Sequence, residues 1–190
     1  MHYPHKLDRP EGATFDGQVS ILIPTLRRYP YLRTLLAQLR AQTVPPLEII
    51  VVDQTPEDER DTALAEDFGD LPLRVITLEK AGQSSARNAG LRKARGTHIL
   101  FIDDDDEVPP DLLQKHLAAL QGLGVNIANG VAREVGAGEL PEDFRRMRVS
   151  PVFPTNNTMI RKSVLKKSGL FDLAYDQGQR ADHDLGMRLY

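Results

Sequence analysis

The sequence predicts an α/β domain in which helices flank both faces of a mostly parallel sheet. Its length of 190 residues is enough for one compact domain with a full hydrophobic core. Up to residue 120, short apolar runs rich in β-branched residues alternate four times with segments that have helical features. Because buried strands joined by short helical crossovers pair in parallel, this alternation favours a Rossmann-like sheet.

Four apolar runs are typical of strands that are buried on both faces. The segments that follow them have the spacing or the end signals of helices, with Pro30 suited to a first turn and Ser84 or Ser85 suited to a cap. The predicted strands are 19–23, which Pro24 would end, 47–52, 73–78 and 97–102, and the predicted helices are 31–39, 57–68, 84–94 and 109–120.

The two ends of the chain are less regular than its middle. Residues 1–18 predict a loosely tied leader. Residues 136–154 are rich in Gly, Pro and Arg and predict a long loop, of the kind that often forms a lid or a binding loop. The last helical pattern is still running at residue 190, so we expect a piece of a longer protein. The other predictions are one or two strands within 125–135, a strand at 157–160, and helices at 162–168 and 181–190.

Charge balance and the absence of cysteine exclude several classes of function. Lys and Arg number 24 against 27 Asp and Glu, and this net charge of −3 gives no support for nucleic-acid binding. Without cysteine there is no disulfide framework, thiolate zinc site or cysteine nucleophile. No secretory signal is evident, and no apolar stretch approaches the roughly 20 residues of a membrane helix. We therefore expect a cytoplasmic protein without a membrane span, with peripheral attachment at the inner face of the membrane as the open alternative.

Polar residues gather where the predicted strands end. Strand one leads into residues 24–28, strand two into 53–55, strand three into 80–84 and strand four into 103–106. In open parallel sheets, ligands bind beyond the carboxyl ends of the strands, near the switch in strand order. The sequence therefore predicts a single cleft at this edge of the sheet.

The acidic run at 103–106 is the strongest candidate within that cleft. Crowded carboxylates raise one another's pKa unless a cation is present. In an extended segment Asp103 and Asp105 would point to one side, and Asp104 and Asp106 to the other. Two carboxylates on one side suit Mg²⁺ or Mn²⁺ with positions left open for phosphate oxygens. A solvated acidic turn is the plain alternative, but the position directly after a buried strand favours the metal site.

Two further residues have both a functional and a structural interpretation, and a third, Asn88, has a structural one. Asp53 ends a buried strand and could accept hydrogen bonds from a base or a ribose, or simply cap a turn. Arg87 could pair with a diphosphate through its forked guanidinium, or face solvent. Asn88 could hold a loop through its side-chain amide. Position alone does not separate these alternatives.

Seven segments, in their order and spacing, resemble the family 2 glycosyltransferases with a GT-A fold. The resemblance covers nearly everything from Val19 to the end of the chain. The segments are Val19-Ser-Ile-Leu-Ile-Pro-Thr25, Ile49-Ile-Val-Val-Asp53, Ala86-Arg-Asn-Ala-Gly90, Phe101-Ile-Asp-Asp-Asp-Asp106, Asn156-Asn-Thr-Met-Ile-Arg161, Gly169-Leu-Phe-Asp172 and Ala181-Asp-His-Asp-Leu-Gly-Met-Arg188.

The resemblance implies an inverting transferase that moves a sugar from a nucleotide-diphosphate donor, a UDP-sugar above all, to an acceptor hydroxyl. The acceptor would be a carbohydrate or a lipid-linked molecule, as in polysaccharide or glycoconjugate biosynthesis. Residues 19–190 would form one GT-A domain, with about 19–120 binding the nucleotide sugar and 121–190 lying on the acceptor side.

The resemblance also implies roles for individual residues. Asp53 would contact the base, and Arg87 would lie near the nucleotide or diphosphate. The family's DxD motif falls on residues 103–105, with Asp103 towards the ribose or sugar and Asp105 on a Mn²⁺ or Mg²⁺ ion. Asp182 falls on the general base. The nucleotide-sugar site would comprise Pro24, Thr25, Arg27, Asp53, Gln54, Arg87, Asp103 and Asp104, and the metal ligands would be Asp105 and Asp103.

Two departures from the family pattern keep other functions open. Gln54 replaces a common second aspartate, and Ala181 replaces the usual glutamate before Asp182. Asp184 is therefore a rival for the base, and His183 could touch acceptor or metal, although a solvent-facing position is expected. A non-catalytic nucleotide-sugar-binding module is the main alternative function. A nucleotidyltransferase is disfavoured, because the segment after strand one is not the Gly-rich, basic loop that such enzymes carry.

Overall fold

The computed structural model describes residues 18–134, 136, 138, 153–178 and 180–189. Apart from Gln18, the predicted leader lies outside these residues, and so does most of the predicted loop at 136–154. Within the described residues, no helix is both long enough and apolar enough to cross a membrane.

Six strands of the described chain form one sheet in the order β3-β2-β1-β4-β6-β5. The first four strands are mutually parallel, β6 runs antiparallel to β4, and β5 runs antiparallel to β6. The prediction of a mostly parallel sheet is therefore confirmed. The strands are β1 Val19–Thr25, β2 Glu48–Asp53, β3 Leu73–Thr77, β4 His98–Phe101, β5 Ile127–Asn129 and β6 Thr158–Arg161.

Helices cover both faces of the sheet, as predicted. Successive residues of a strand point to opposite faces, so β1 directs Ile21 and Ile23 into one apolar core and Leu22 into the other. Helices α1, α2 and α4 contribute to the first core, and α3, α5 and α6 to the second. The helices are α1 Tyr29–Arg40, α2 Leu64–Asp67, α3 Gln83–Lys93, α4 Leu112–Leu123, α5 Lys162–Ser168 and α6 Ala181–Leu189.

Helix α3 packs unusually close to the sheet because it carries Gly90. A β-carbon at this position would lie 2.6 Å from Leu22 Cδ1 and 3.2 Å from Val52 Cγ2, so any larger side chain would push the helix away. The start of α3 follows β3 directly, and its end leads into β4. This close packing fixes the helix that carries Arg87 against β1 and β2.

Three local predictions were wrong. Strand β1 continues through Pro24 to Thr25; pairing with β4 ends at Leu22, so the missing proline amide costs no bond on that side. Residues 57–68 form a short 3₁₀ turn, Glu57–Glu59, and the four-residue helix α2 instead of one helix. Helix α3 begins after Gly82 without a side-chain cap from Ser84 or Ser85.

A buried glutamate closes the amino-terminal edge of the sheet. Glu48 is completely inaccessible to solvent and accepts hydrogen bonds from Ser20 Oγ at 2.7 Å, the Arg95 amide at 2.6 Å and the Arg95 and Arg74 guanidinium groups. Burial by itself raises the pKa of a carboxyl group, but these donors outweigh it and lower the pKa of Glu48 to about 2. The charge of Glu48 is therefore fully partnered within the fold.

Candidate functional site

The strand order reverses at β1, which lies between β2 and β4. Ligands of open α/β sheets bind outside the carboxyl ends of the strands at such a switch point. Here the carboxyl ends of β1 and β4 present Thr25 and the acidic run, and Thr25 Oγ1 donates a 2.7 Å hydrogen bond to Asp104 Oδ2. Both of these residues are buried. The predicted cleft residues of these two strands are thus brought into direct contact.

Residues 103–106 form a tight turn, which we call the acidic turn, and not the extended segment we expected. The amide of Asp106 donates to the carbonyl of Asp103 at 3.2 Å, and Asp106 Oδ2 accepts from the amide of Asp103 at 3.0 Å. The predicted alternation of side chains is therefore wrong. Asp104 is buried against Thr25, whereas Asp105 is exposed.

Two arginines pair with the two aspartates predicted to bind metal. Arg87 Nη2 lies 3.2 Å from Asp103 Oδ1, and Arg28 Nη2 lies 2.6 Å from Asp105 Oδ2. Arg28 also approaches Asp104 Oδ1 at 3.5 Å. Arg87 is buried beside the acidic turn and does not face solvent. Arg28 was missed, because nothing in the sequence separates it from the adjacent Arg27.

The acidic turn holds more negative charge than these partners stabilise. Burial raises the pKa of Asp103 and Asp104, against the lowering influence of Arg87 and Thr25 respectively. Burial, together with the charges of the three neighbouring aspartates, raises the pKa of Asp106 to about 6. Carboxyl groups with raised pKa values beside a cleft are typical of functional sites.

The donor set of the acidic turn fits a hard divalent cation that is shared with a ligand. No group of three or more His, Cys, Asp or Glu residues suited to a metal occurs among the described residues. Mg²⁺ and similar ions are commonly held by one or two carboxylates together with substrate phosphates and water. Asp103 and Asp105 could supply those carboxylates, each by exchanging an arginine for the ion.

The end of β2 carries two predicted nucleotide-binding residues that are both engaged within the protein. Asp53 Oδ2 accepts a 2.6 Å hydrogen bond from the Tyr29 hydroxyl, and its Oδ1 accepts from the Thr55 amide at 2.9 Å. Gln54 Oε1 accepts from the Gly82 amide at 2.6 Å. The structural interpretation of Asp53 as a turn residue is therefore realised, while its remaining lone pairs and the Gln54 amino group could still meet a base.

Two predicted nucleotide-sugar contacts near the end of β1, Pro24 and Arg27, lie in different surroundings. Pro24 lies half-buried within β1, beside the switch point. Arg27 has a φ of 58°, in the left-handed region that non-glycine residues rarely adopt, and its exposed guanidinium pairs with Glu59 at 2.7 Å. In this arrangement Arg27 is directed to the outer 3₁₀ turn, and Arg28 takes the position facing the acidic turn.

Asn88 and Phe171 join α3 to the segment that follows α5. Asn88 Nδ2 donates to the Phe171 carbonyl at 2.8 Å, and its Oδ1 accepts from the Phe171 amide at 3.0 Å. The Phe171 ring packs edge-on against Phe101 with centroids 5.8 Å apart, and the Arg87 guanidinium carbon lies 5.8 Å from the Phe171 ring centre. The structural interpretation of Asn88 is confirmed.

Asp176, which no sequence pattern singles out, holds the amino end of α3. Its Oδ1 accepts from the Ser85 amide at 2.7 Å, its Oδ2 accepts from the Ser85 hydroxyl, and its carbonyl accepts from the Gln83 amide at 3.2 Å. Gly82 leaves room for this approach, since a β-carbon there would overlap the Asp176 carboxylate. A residue from beyond α5 therefore supplies the cap that the local sequence lacks.

Helix α6 presents the two candidate bases differently. Leu185 anchors the helix in the second core. Asp184 is paired with Arg188 one turn later, at 2.7 Å. The Asp182 side chain is half-buried and has no hydrogen bond or ion pair to the other residues that the structure describes, while His183 is exposed as expected. Of the two carboxylates, Asp182 is the one left available to another molecule.

A cleft of about 510 Å³ opens beside the acidic turn, between that turn, α4 and the segment that follows β5. Its volume falls in the range of small-molecule sites. His116 and Asn157 contribute to its wall, joined by a 2.7 Å hydrogen bond, and burial lowers the pKa of His116. The acidic turn borders the cleft through Asp105 and Asp106, so one of the two candidate metal ligands, Asp105, faces a space that a small molecule could occupy.

The sheet order and the acidic turn at the switch point define a GT-A class of α/β protein. The model of the family described as glycosyl transferase family 2 matches residues 20–175. The chain belongs to this family, and the resemblance seen in the sequence is confirmed.

Two bacterial relatives from Bacillus subtilis illustrate the match. The uncharacterized glycosyltransferase YwdF is 31% identical over 170 residues, which cover 82% of this chain and 62% of YwdF. The uncharacterized glycosyltransferase EpsJ is 41% identical over 153 residues, which cover 78% of this chain and 42% of EpsJ. The chain therefore spans less than two thirds of either relative.

Solved structures share the fold. TarS 1–349 of S. aureus in complex with UDP superposes with a TM-score of 0.78 at 23% identity, covering 91% of this chain and 55% of that chain. The mannosyltransferase PcManGT of Pyrobaculum calidifontis, in complex with GDP-Man and Mn²⁺, has a TM-score of 0.73 at 25% identity, covering 94% of this chain and 54% of that chain. Both likenesses confirm the predicted GT-A architecture.

Proposed function

We propose that this chain transfers a sugar from a nucleotide-diphosphate donor to an acceptor hydroxyl, with inversion at the anomeric carbon and with the help of Mn²⁺ or Mg²⁺. The observation that carries the proposal is the acidic turn, which lies at the switch point of a family 2 fold and holds carboxylates with raised pKa values. A UDP-sugar is the donor we favour, and a carbohydrate or lipid-linked molecule is the acceptor.

The donor side of the proposal rests on the residues around β1, β2 and α3. Asp53 is buried at the end of β2, where its carboxylate can accept from a base imide, and Gln54 adds an amide beside it. Asp103 and Arg87 would flank the ribose and the diphosphate. Proteins of the same fold carry UDP, UDP-GlcNAc or GDP-Man with Mn²⁺ in their structures, which supports a donor of this kind here.

The acceptor side rests on α6 and on the cleft beside the acidic turn. Asp182 is the carboxylate of α6 that is free of partners among the described residues, so it is the candidate base. The cleft of about 510 Å³ offers space for a sugar next to Asp105.

In the proposed reaction Asp182 removes the proton from the acceptor hydroxyl as its oxygen attacks the anomeric carbon. The bond between that carbon and the diphosphate oxygen breaks, and the nucleoside diphosphate leaves with the electron pair. A bound divalent cation would neutralise the charge that develops on the leaving group. Asp103 and Asp105 would hold the cation, and Arg87 would orient the diphosphate through its forked donors.

The first experiment is calorimetry with uridine, guanosine, cytidine and adenosine diphosphates, each with and without Mn²⁺. We expect one base to bind best, and Mn²⁺ to strengthen its binding. Hydrolysis of the matching nucleotide sugar then separates an enzyme from a binding module. Failure of all four diphosphates to bind in the presence of Mn²⁺ would overturn the proposal.

The base is tested with a matched pair of variants on α6. Asp182→Asn should abolish transfer and leave diphosphate affinity within about twofold of the wild type, because the base acts only on the acceptor. Asp184→Asn removes an equivalent charge two residues away, from a carboxylate already paired with Arg188, and should retain transfer. Retained activity in Asp182→Asn, or loss only in Asp184→Asn, would reassign the base.

A further inference from the structure

We propose that Phe171 is a positioning residue for Arg87, and that it acts through the face of its ring. This inference rests on the proposed function, because the task of Arg87 in it is to orient the donor diphosphate. Phe171 lies 83 residues from Asn88 in the chain and belongs to the acceptor-side half. Its role would tie the geometry of the donor site to a residue of the other half.

The backbone of Phe171 is fixed with little freedom. The Asn88 amide spans both its N–H and its C=O, at 3.0 Å and 2.8 Å, in the manner of a strand partner. Asn88 and Phe171 are 2% and 3% exposed. Buried hydrogen bonds of this kind hold the backbone in place, because breaking either one would leave a polar group buried without a partner or water.

The ring of Phe171 contacts both Arg87 and the end of β4, the strand that leads into the acidic turn. It packs edge-on against Phe101, the last residue of β4 and the second before Asp103. The Arg87 guanidinium carbon lies 5.8 Å from the ring centre, within the range of a cation–π contact. One ring therefore touches both the guanidinium and the strand that leads to its carboxylate partner.

The hydrogen bonds of Arg87 are too long to hold its guanidinium alone, so the contact with the Phe171 ring is needed to place it. Its Nη2 reaches Asp103 at 3.2 Å and its Nη1 reaches Gln83 Oε1 at 3.3 Å, both longer than a strong charged hydrogen bond. The Arg87 side chain is only 6% exposed, and its Nε is buried without a hydrogen-bond partner among the described residues. A desolvated guanidinium held by long hydrogen bonds depends on the ring to fix its plane.

Phe153 provides a matched control within the same core. Its ring also packs edge-on against Phe101, with centroids 5.6 Å apart, and it is 2% exposed. It has no cation–π contact with Arg87 among the described residues. Phe171→Leu and Phe153→Leu therefore remove similar rings from Phe101, and only the first removes the support of Arg87.

The experiment compares UDP with uridine by calorimetry in the presence of Mn²⁺ for the wild type and both variants. We expect Phe171→Leu to weaken the affinity for UDP roughly three- to tenfold, because one cation–π contact is lost, and to leave the affinity for uridine unchanged. Phe153→Leu should lose about as much thermal stability as Phe171→Leu, but its affinity for UDP should stay within about twofold of the wild type. Phe171→Tyr, which keeps the ring face, should restore UDP affinity. An equal loss of UDP affinity in both leucine variants, or none in Phe171→Leu, would overturn the inference.

A second readout separates this inference from the proposed function. The Nε–H signal of Arg87 in the nitrogen–proton spectrum of the ligand-free protein reports the guanidinium directly. Phe171→Leu should shift that signal and speed its exchange with water, whereas Phe153→Leu should not. If no nucleotide binds the wild type, the proposed function fails while this spectrum still decides whether Phe171 holds Arg87. An unchanged Arg87 signal in Phe171→Leu would sink the positioning role.

Discussion

The two edges of the sheet bury carboxylates in opposite ways. At the amino edge, Glu48 is completely buried, and donors from Ser20, Arg74 and Arg95 lower its pKa to about 2. At the carboxyl edge, the acidic turn packs four aspartates together, and burial with mutual repulsion raises the pKa of Asp106 to about 6. The first cluster is complete in itself, and the second has a deficit of positive charge.

This difference distinguishes a structural carboxylate from a functional one more clearly than burial does. A carboxylate that serves the fold is supplied with donors by the fold, and its pKa falls. A carboxylate that binds a cation lacks enough partners within the fold. Its pKa is therefore raised in the ligand-free protein, at a cost in stability. Neutralising an acid should therefore damage stability at one edge and binding at the other.

The largest expected effect is the loss of stability on neutralising Glu48. Glu48→Gln should lower the free energy of unfolding by roughly 2–4 kcal/mol, because several charge-assisted hydrogen bonds lose their acceptor in a buried site. Nucleotide affinity of the folded protein should stay unchanged. Urea unfolding and calorimetry measure the two quantities. Asp70→Asn, which breaks the exposed pair with Arg40, is the control and should leave the midpoint nearly unchanged.

The same cluster predicts the acid limb of the stability curve. The pKa of Glu48 falls from an ordinary 4.5 to about 2 on folding, so the unfolded chain binds its proton first. The stabilisation by Glu48 is complete above about pH 4.5 and is lost as the pH falls towards 2. The gap in urea midpoint between wild type and Glu48→Gln should narrow across this range. A gap that stays constant from pH 6 to pH 2.5, or widens, would contradict the assignment.

At the carboxyl edge, Asp105→Asn should show the reverse pattern. Because its side chain is exposed and pairs with one arginine, stability should change by less than about 0.5 kcal/mol. The gain in UDP affinity on adding Mn²⁺ should fall at least tenfold, since a proposed metal ligand is lost. Calorimetry with and without Mn²⁺ measures that gain. A variant that binds UDP and Mn²⁺ normally would remove Asp105 from the metal site.

The smallest effect concerns the arginine that neutralises Asp105. If Arg28 competes with a cation for that carboxylate, Arg28→Gln should raise Mn²⁺ affinity about two- to fivefold in the absence of nucleotide. Arg27→Gln removes the neighbouring charge, which is paired with Glu59, and should have little effect. Manganese titration followed by proton relaxation compares the two. Equal responses would mean that only net charge matters, and that the pairing with Asp105 does not.

Features that depend on short stretches of sequence were predicted well. Apart from residues 57–68, the strands and helices up to β4 and the two-faced core follow from apolar spacing, which is a local signal. The position of the acidic turn at the carboxyl edge followed from strand order rules. The proline within β1 was misjudged because its effect depends on where pairing with β4 ends, and that is set by another strand.

The parts of the site that were missed depend on residues far apart in the chain. Arg28 meets Asp105 across 77 residues, and Asp176 meets Ser85 across 91. The turn at 103–106 was also missed, although it is local. Its own side chains and amides close it through hydrogen bonds, and a run of identical residues does not reveal these bonds. Family resemblance selected Arg87 and Asp182, but their surroundings, from the Phe171 ring to the unpartnered state of Asp182, needed the fold.

The capping of α3 by Asp176 has a consequence for how phosphate can be held. Many nucleotide-binding sheets seat a phosphate on the exposed amides at the start of a helix. Here the amides of Gln83 and Ser85 are already bound to Asp176, and that of Gly82 is bound to Gln54. A carboxylate of the protein occupies the position of the anion, so a diphosphate would have to displace it or bind to cations instead. The fold thus closes one route to phosphate recognition, the one at the start of α3.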